Sequence, residues 1–197
     1  MKNKKYQLVA LIGKAGSGKD TILKDVVKAY ELPMNIIVSY TTRPMREGET
    51  EGKEYHFISE ETFKQMINNN QMLEYVQFNN WWYGTGISCL DDSKINIGIF
   101  NPSGIKSLIN FPEIDLQIYY IHASDKQRLL RQLNREEYPD IKEIIRRYSA
   151  DEKDFKNINF NNMQILFNET ERDRLKCCDI ITDHPWLSTK SWAKVDN

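Results

Sequence analysis

Cysteine is scarce in this chain: three in 197 residues, with Cys177 beside Cys178 and Cys89 remote from both. That set offers neither a disulfide framework nor metal-ligand spacing, so buried or idle thiols are expected. Histidine is equally sparse, and His56, His122 and His184 stand at no metal-binding or catalytic spacing. Charge of neither sign predominates. Lys plus Arg number 27 against 28 Asp plus Glu, a net charge of −1, which excludes a global attraction to DNA, RNA or an anionic membrane. Any basic site must therefore be local. No apolar run approaches the length of a membrane span, and Met1-Lys2-Asn3-Lys4-Lys5 lacks the cleavage pattern of a signal peptide. A cytoplasmic chain with neither nucleic acid nor membrane as partner is expected. Internal repeats and low-complexity linkers are missing too, and 197 residues are enough for one ordinary domain, or one core with insertions.

What is present begins with Gly13-Lys14-Ala15-Gly16-Ser17-Gly18-Lys19-Asp20-Thr21, directly behind the apolar run Leu8-Val9-Ala10-Leu11-Ile12. Glycines at this spacing let the backbone aim its N–H groups inward as an anion nest at a helix N-terminus, and Lys19 reaches the outer phosphates. The stretch reads as a nucleoside triphosphate site, for which ATP is the expected ligand. One position departs from the pattern: the usual hydroxyl ligand of Mg²⁺ directly after the lysine is replaced by Asp20, with Thr21 one step late.

Apolar runs of strand length alternate with helical patterns, which predicts βαβ units and a doubly wound parallel sheet, an α/β fold. Strands are expected at 6–12, 35–39, 95–100 and 116–121, and at either 164–167 or 180–182. Helices are expected after Lys19 and from Ser124, where an N-cap precedes an apolar face of Leu129, Leu130 and Leu133. Between Tyr40 and Asp92 the composition turns to Thr, Tyr, Trp and Gly, with short segments at 55–58 and 72–76 and a helix around 60–68. That stretch reads as an inserted α+β subdomain.

Within the insertion, Ser39-Tyr40-Thr41-Thr42-Arg43-Pro44-Met45-Arg46-Glu47-Gly48-Glu49 is followed by Gly52-Lys53-Glu54-Tyr55. Pro44 bars a helix and pushes Arg43 toward an extended conformation, so two guanidinium groups leave a fixed loop. Forked donors with a tyrosine hydroxyl nearby suit a phosphate, although two arginines three apart are, taken alone, an ordinary surface loop. The segment resembles the GMP-binding segment of guanylate kinases, and the phosphate loop is similar to theirs. The likeness continues through Glu74 in Met72-Leu73-Glu74-Tyr75-Val76 and through Trp82-Tyr83-Gly84-Thr85, covering roughly residues 6–170. By this resemblance Ser39, Arg43, Arg46, Tyr55 and Tyr83 would hold the GMP phosphate, while Glu74 and Thr85 would read guanine. A carboxylate can accept from both N1–H and the N2 amino group of guanine, a donor pair that adenine lacks.

The basic stretch Arg128, Arg131, Arg135, Arg146 and Arg147 resembles a kinase lid. The four-residue spacing of Arg131 and Arg135 predicts a shared helix face opposite Leu129 and Leu133. The resemblance implies that Arg131, Arg135 and Arg147 act with Lys19 on the moving phosphoryl group, since such transfer asks mainly for positioning and positive charge. A solvated face paired with neighbouring acids is the competing reading. Where the family carries acidic residues at the end of a core strand, this chain has Ile99 and Asn101. Metal handling is altered accordingly, with Asp20 and Thr21 left as the metal candidates.

The resemblance implies a P-loop NTPase core with a GMP-binding subdomain and a helical lid in a single domain. Its parts are expected at 1–38, 94–124 and 160–197 for the core, 39–93 for the subdomain and 125–159 for the lid. The implied activity is γ-phosphoryl transfer from ATP to GMP or dGMP with Mg²⁺, by a monomer or homodimer. Two alternatives remain: a kinase of the same fold with another acceptor, such as a different deoxynucleotide or a ribose bisphosphate, and a non-catalytic module that docks phosphorylated peptides. Intact Gly16, Gly18 and Lys19 argue against the module, and Glu74 against the sugar phosphate.

Overall fold

The computed structural model describes residues 4–29, 34–78, 80–135 and 137–186. The first three residues and the tail from 187 onward, both part of the expected core, and Glu136, one of the acids expected to pair with the basic stretch, lie outside the described residues. In chain order the elements are β1 (Tyr6–Ile12), α1 (Lys19–Ala29), β2 (Met34–Ile36), β3 (Tyr40–Thr41), β4 (His56–Phe57), α2 (Glu60–Asn68), β5 (Met72–Phe78) and β6 (Trp81–Gly86). A 3₁₀ turn at Ile87–Cys89 leads to β7 (Ile95–Ile99), α3 (Pro102–Leu108), β8 (Ile114–His122), α4 (Asp125–Leu133), α5 (Ile141–Asp154), β9 (Met163–Phe167) and α6 (Glu171–Thr182).

Five strands form one parallel sheet in the order β2-β7-β1-β8-β9. Because successive strand residues face opposite sides, β1 feeds two cores at once. Val9 and Leu11 pack with Ile22 and Val26 of α1 and Cys177, Cys178 and Ile181 of α6. Leu8, Ala10 and Ile12 pack on the other face with Ile105 and Leu108 of α3. The expected doubly wound α/β sheet is the observed one. Cys177 and Cys178 are buried free thiols, and burial pushes the Cys177 pKa up to about 11.

The alternative strand at 180–182 is the end of α6, not a strand, and β9 supplies the fifth position. A short apolar run carries no period that separates strand from helix; Thr170 decides it, opening α6 with a reciprocal capping box to Asp173. Strand β2 ends at Ile36, earlier than expected.

A second sheet, ordered β4-β3-β6-β5, holds the inserted segment. Strands β5 and β6 pair antiparallel, with a register shift between Met72 and Glu74. A bulge of this kind re-aims the side chains beside it, and here the re-aimed residue is Glu74.

Candidate active site

Strand β1 delivers the glycine-rich loop to the carboxyl edge of the sheet, where the chain turns first toward β2 and later toward β8. Ligands of open α/β sheets bind at such a switch point. Gly16 (φ +78°) and Gly18 (φ +93°) sit in the left-handed region. A Cβ on Gly16 would also meet the Arg128 carbonyl oxygen at 2.5 Å, and one on Gly18 would collide with the Asn168 amide. Lys19 donates to the Lys14 carbonyl at 3.2 Å. Desolvation pushes its pKa below the ordinary amine value, against the opposing pull of Asp20 and Asp151. A cavity of about 820 Å³ opens over the loop, walled by Gly16, Gly18, Lys19, Asp20, Thr21, Arg131, Arg135, Arg147 and Asn168.

The lid residues reach this cavity by a different construction from the one expected. Leu129, Leu130 and Leu133 are exposed, and Arg128 is instead the buried residue of α4, at 1% exposure. Arg128 is tied down by polar partners: Nε donates to the Ala15 carbonyl at 3.0 Å, Nη1 to Asp125 at 2.9 Å and Nη2 to Asp151 at 2.8 Å. Helix α4 ends at Leu133, so Arg135 lies beyond it and shares no helix face with Arg131, though both line the cavity. Arg131 braces the loop, donating from Nη1 to the carbonyls of Gly16 at 3.4 Å and Ser17 at 3.3 Å and from Nη2 to that of Asn168 at 2.8 Å. Arg147 gives its Nε to Glu143 at 2.7 Å.

Across the cleft, the insertion gathers six of its seven predicted residues into two linked groups. Ser39, Thr85 and Glu74 form a chain: Thr85 Oγ1 donates to Glu74 Oε1 at 2.8 Å, and Ser39 Oγ lies 2.9 Å from Thr85 Oγ1. Since the Thr85 proton is spent on Glu74, Ser39 is the donor of the second bond. Burial pushes the Glu74 carboxyl above its ordinary value, and the Thr85 hydroxyl pulls it partly back. Arg43, Tyr55 and Tyr83 form the other group, with the Arg43 guanidinium 5.6 Å from the Tyr55 ring and that ring 5.9 Å from Tyr83. Burial raises the Tyr55 pKa, and Asp20 of the phosphate loop is among the lesser charges acting on it. The seventh residue, Arg46, is exposed, and its backbone N–H donates to Glu49 at 2.8 Å.

The glycine-rich loop with its cavity and, in the insertion, a half-buried carboxylate and a clustered arginine are the two candidate parts of a site, and comparison with known proteins gives the chain's family. The guanylate kinase family model matches residues 5–176. The chain belongs to the guanylate kinase family. It is 37% identical over 139 residues to the guanylate kinase of Prochlorococcus marinus (strain MIT 9312), covering 68% of this chain and 73% of that one. It is 40% identical over 92 residues to the guanylate kinase of Mycoplasmoides gallisepticum, where the match spans 47% of each chain. In fold it is similar to the crystal structure of guanylate kinase from Anaplasma phagocytophilum, with a TM-score of 0.60, 16% identity, and coverage of 91% of this chain and 85% of that one. Family membership makes the chain a nucleotide-binding kinase.

Glu49, Asn168 and Asp151 were given no role by the sequence reading, and Arg128 was read only as part of the basic stretch that resembles a lid. Glu49 grips Arg43, and its position six residues on in the same loop was a usable signal. Asn168, 2% exposed, donates to the Ser17 carbonyl at 2.7 Å. Arg128 and Asp151 are partners 23 residues apart on different helices, and nothing local to either announces the other.

Mg²⁺, which the family implies, can be tested against the oxygen donors. Asn101 caps α3, its side-chain oxygen accepting from Gly104 N at 2.7 Å and Ser103 Oγ at 2.8 Å, so it is spent. Asp20 and Thr21 are exposed on the cavity wall. One carboxylate and one hydroxyl, completed by water and substrate phosphates, is the donor set that Mg²⁺ accepts. Among the described residues no cluster of three or more His, Cys, Asp or Glu forms a separate metal site, so the fit rests on Asp20 and Thr21.

Proposed function

We propose that this chain transfers the γ-phosphoryl group of ATP to GMP or dGMP, giving ADP and GDP or dGDP. The observation that carries the reading is Glu74. It is a desolvated carboxylate whose Oε1 is held by Thr85, and its Oε2 lies beside Gly104, where a Cβ would already come within 3.4 Å. A half-buried, desolvated acceptor with an oxygen to offer selects a base that presents adjacent donors, and disfavours one that leaves it unpaired.

On this reading Ser39, Arg43, Arg46, Tyr55 and Tyr83 hold and orient the acceptor phosphate, while Glu74 and Thr85 read guanine. Gly13 to Thr21 cradle ATP, and Lys19, Arg131, Arg135 and Arg147 bring positive charge to the phosphoryl group in flight. The acceptor oxygen is already anionic and attacks in line, so no side chain is needed as general base. Asp20 and Thr21 would hold Mg²⁺, which would neutralise negative charge on the phosphates when bound. The divisions of labour follow the chain: residues 39–93 for the acceptor, 125–159 for the lid, and 1–38, 94–124 and 160–197 for the core. A cytoplasmic monomer or homodimer is the accompanying proposal; among the described residues no helix is long and apolar enough to cross a membrane.

The test is a panel of nucleoside monophosphates and ribose bisphosphate with ATP and Mg²⁺, read as ADP production. GMP or dGMP is expected to lead. Equal turnover of AMP, CMP and GMP would sink the base-reading role of Glu74, preference for the sugar phosphate would name a different acceptor, and no turnover at all would favour the docking module.

A further inference from the structure

Three residues on two adjacent turns of α5 meet the phosphate loop or the arginine packed against it. Tyr148 lies beneath the Arg128 guanidinium, 5.1 Å from ring centre to Cζ. Asp151 Oδ2 accepts from both the Ala15 N–H at 2.7 Å and Arg128 Nη2 at 2.8 Å. Glu152 pairs with Lys14. Arg128 in turn donates to the Ala15 carbonyl at 3.0 Å. Ala15 is thus held through both of its own backbone polar groups, by two side chains bonded to each other.

The arrangement is costly for a purely structural tie. Arg128 is 1% exposed and Asp151 15%, and a well-packed apolar pair at such a place is commonly as stable or more so. The carboxylate also takes up an N–H of the loop expected to cradle ATP phosphates, so its charge works against the ligand unless its location serves another end. Asp151 follows Arg147 by four residues, which places both on one face of α5. Fastening Asp151 to Ala15 therefore turns that face toward the loop, and Arg147 does line the cavity above it. The Nε of Arg147 is occupied by Glu143, so its contact with a ligand would be through its two terminal nitrogens.

We infer that Arg128 and Asp151 are a positioning pair: together they seat the lid helix α5 on the phosphate loop and thereby aim Arg147 at the transferring phosphoryl group. The inference rests on the kinase reading above. It accounts for a buried arginine on α4 where leucines were expected, and it gives the lid a fixed end at the loop about which the rest of α5 is set.

The experiment compares the native protein, Asp151→Ala and the double variant Arg128→Met/Asp151→Ala, each with and without Arg147→Ala. Asp151→Ala alone takes from the buried Arg128 the more buried of its two carboxylate partners, leaving only the exposed Asp125, and is expected to lower Tm. The double variant removes both charges and is expected to recover Tm, so it remains informative even where the single variant fails to fold. The positioning role predicts that kcat in the double variant stays down by about 10- to 100-fold, with KM for GMP little changed. It also predicts that Arg147→Ala, costly in the native background, costs about twofold or less in the double variant, because the two act as a unit. A double variant with native Tm and native kcat would overturn the pair, as would an Arg147→Ala loss of equal size in both backgrounds. A readout independent of turnover is tryptic cleavage at Arg146 and Arg147 with saturating adenylyl imidodiphosphate, a non-hydrolysable ATP analogue. Protection is expected in the native protein and not in the double variant; protection undiminished in the double variant overturns the inference. Absence of GMP-dependent ADP production by the native protein would reject the kinase reading instead, and the tryptic comparison then judges the pair alone.

Discussion

Glu49 holds Arg43 by both terminal nitrogens: Oε1 accepts from Nη2 at 2.7 Å and Oε2 from Nη1 at 2.9 Å. The fork leaves Arg43 8% exposed, over the rings of Tyr55 and Phe57. Asn101, where the resemblance leads one to expect a core carboxylate, has its oxygen committed to Gly104 and Ser103. Glu49 provides the fixation from within the loop. Glu49→Gln is therefore expected to raise KM for GMP by roughly 10- to 100-fold, with KM for ATP within about twofold, measured by steady-state kinetics. A variant that weakened ATP and spared GMP would place Arg43 on the wrong substrate.

The same ion pair sets an acid limit. Hydrogen bonds from Arg43, then the Arg46 N–H, hold the Glu49 carboxyl down to about 2 from an ordinary 4.5. Glu143, bonded by Arg146 and Arg147, is likewise held down to about 2. A depressed folded value means that these carboxylates stabilise the fold fully above about 4.5 and lose that contribution as pH falls from there through about 2. Tm measured between pH 6 and pH 3 should show a steep decline below about 4.5 that is shallower in Glu49→Gln. An equal slope in both proteins would show that the pair does not contribute to acid stability.

Glu74 behaves with the opposite sign, because burial raises its pKa and disfavours the ionised form. Guanine needs the ionised form, which accepts from two donors, so GMP binding should weaken as pH falls while the fold is still intact. KM for GMP is expected to rise on the acid side before Tm changes, with KM for ATP flat over the same range. Glu74→Gln should abolish that pH dependence and narrow the preference for GMP over AMP by on the order of 100-fold, the scale on which a buried unpaired polar group is penalised. An unchanged pH profile in the variant would remove Glu74 from base recognition.

Asp20 stands exposed at the entrance to α1, next to the residues expected to meet triphosphate. A carboxylate there repels phosphate by about 1–4 kcal/mol at 4 Å unless a cation lies between them. Asp20→Ala is expected to lower kcat and to raise the Mg²⁺ concentration for half-maximal rate. Asn101→Asp in that background should recover part of the loss, since aspartate keeps the N-cap of α3 while adding a charge. If Asp20→Ser equals the native protein across the whole Mg²⁺ titration, Asp20 is a tolerated substitution and contributes nothing to metal handling.

The features legible in the sequence are those whose causes lie within a few residues. The glycine loop follows from left-handed backbone at Gly16 and Gly18, the start of α4 from the Ser124 hydroxyl accepting from Gln127 N three residues on, and the span of α2 from a local period with Ser59 as cap. The parallel sheet followed from alternation of strand and helix patterns. The lid was harder. Treating Leu129, Leu130 and Leu133 as a buried face assumed that a helix buries its apolar side, whereas α4 is anchored through Arg128 and leaves those leucines exposed.

The sequence by itself determined the glycine-rich loop and the α/β class, because short-range sterics and period specify both; the grouping of Ser39, Arg43, Tyr55, Glu74, Tyr83 and Thr85 rested on the family resemblance. Only the tertiary structure decided how those residues meet. Glu74 reaches Thr85 through a bulged hairpin register, Asn168 reaches Ser17 across 151 positions, and Arg128 meets Asp151 and Ala15 from a third direction. Partners of buried polar groups are selected by whichever chain segments the packed core brings alongside, and that choice depends on long-range contacts that no local pattern encodes.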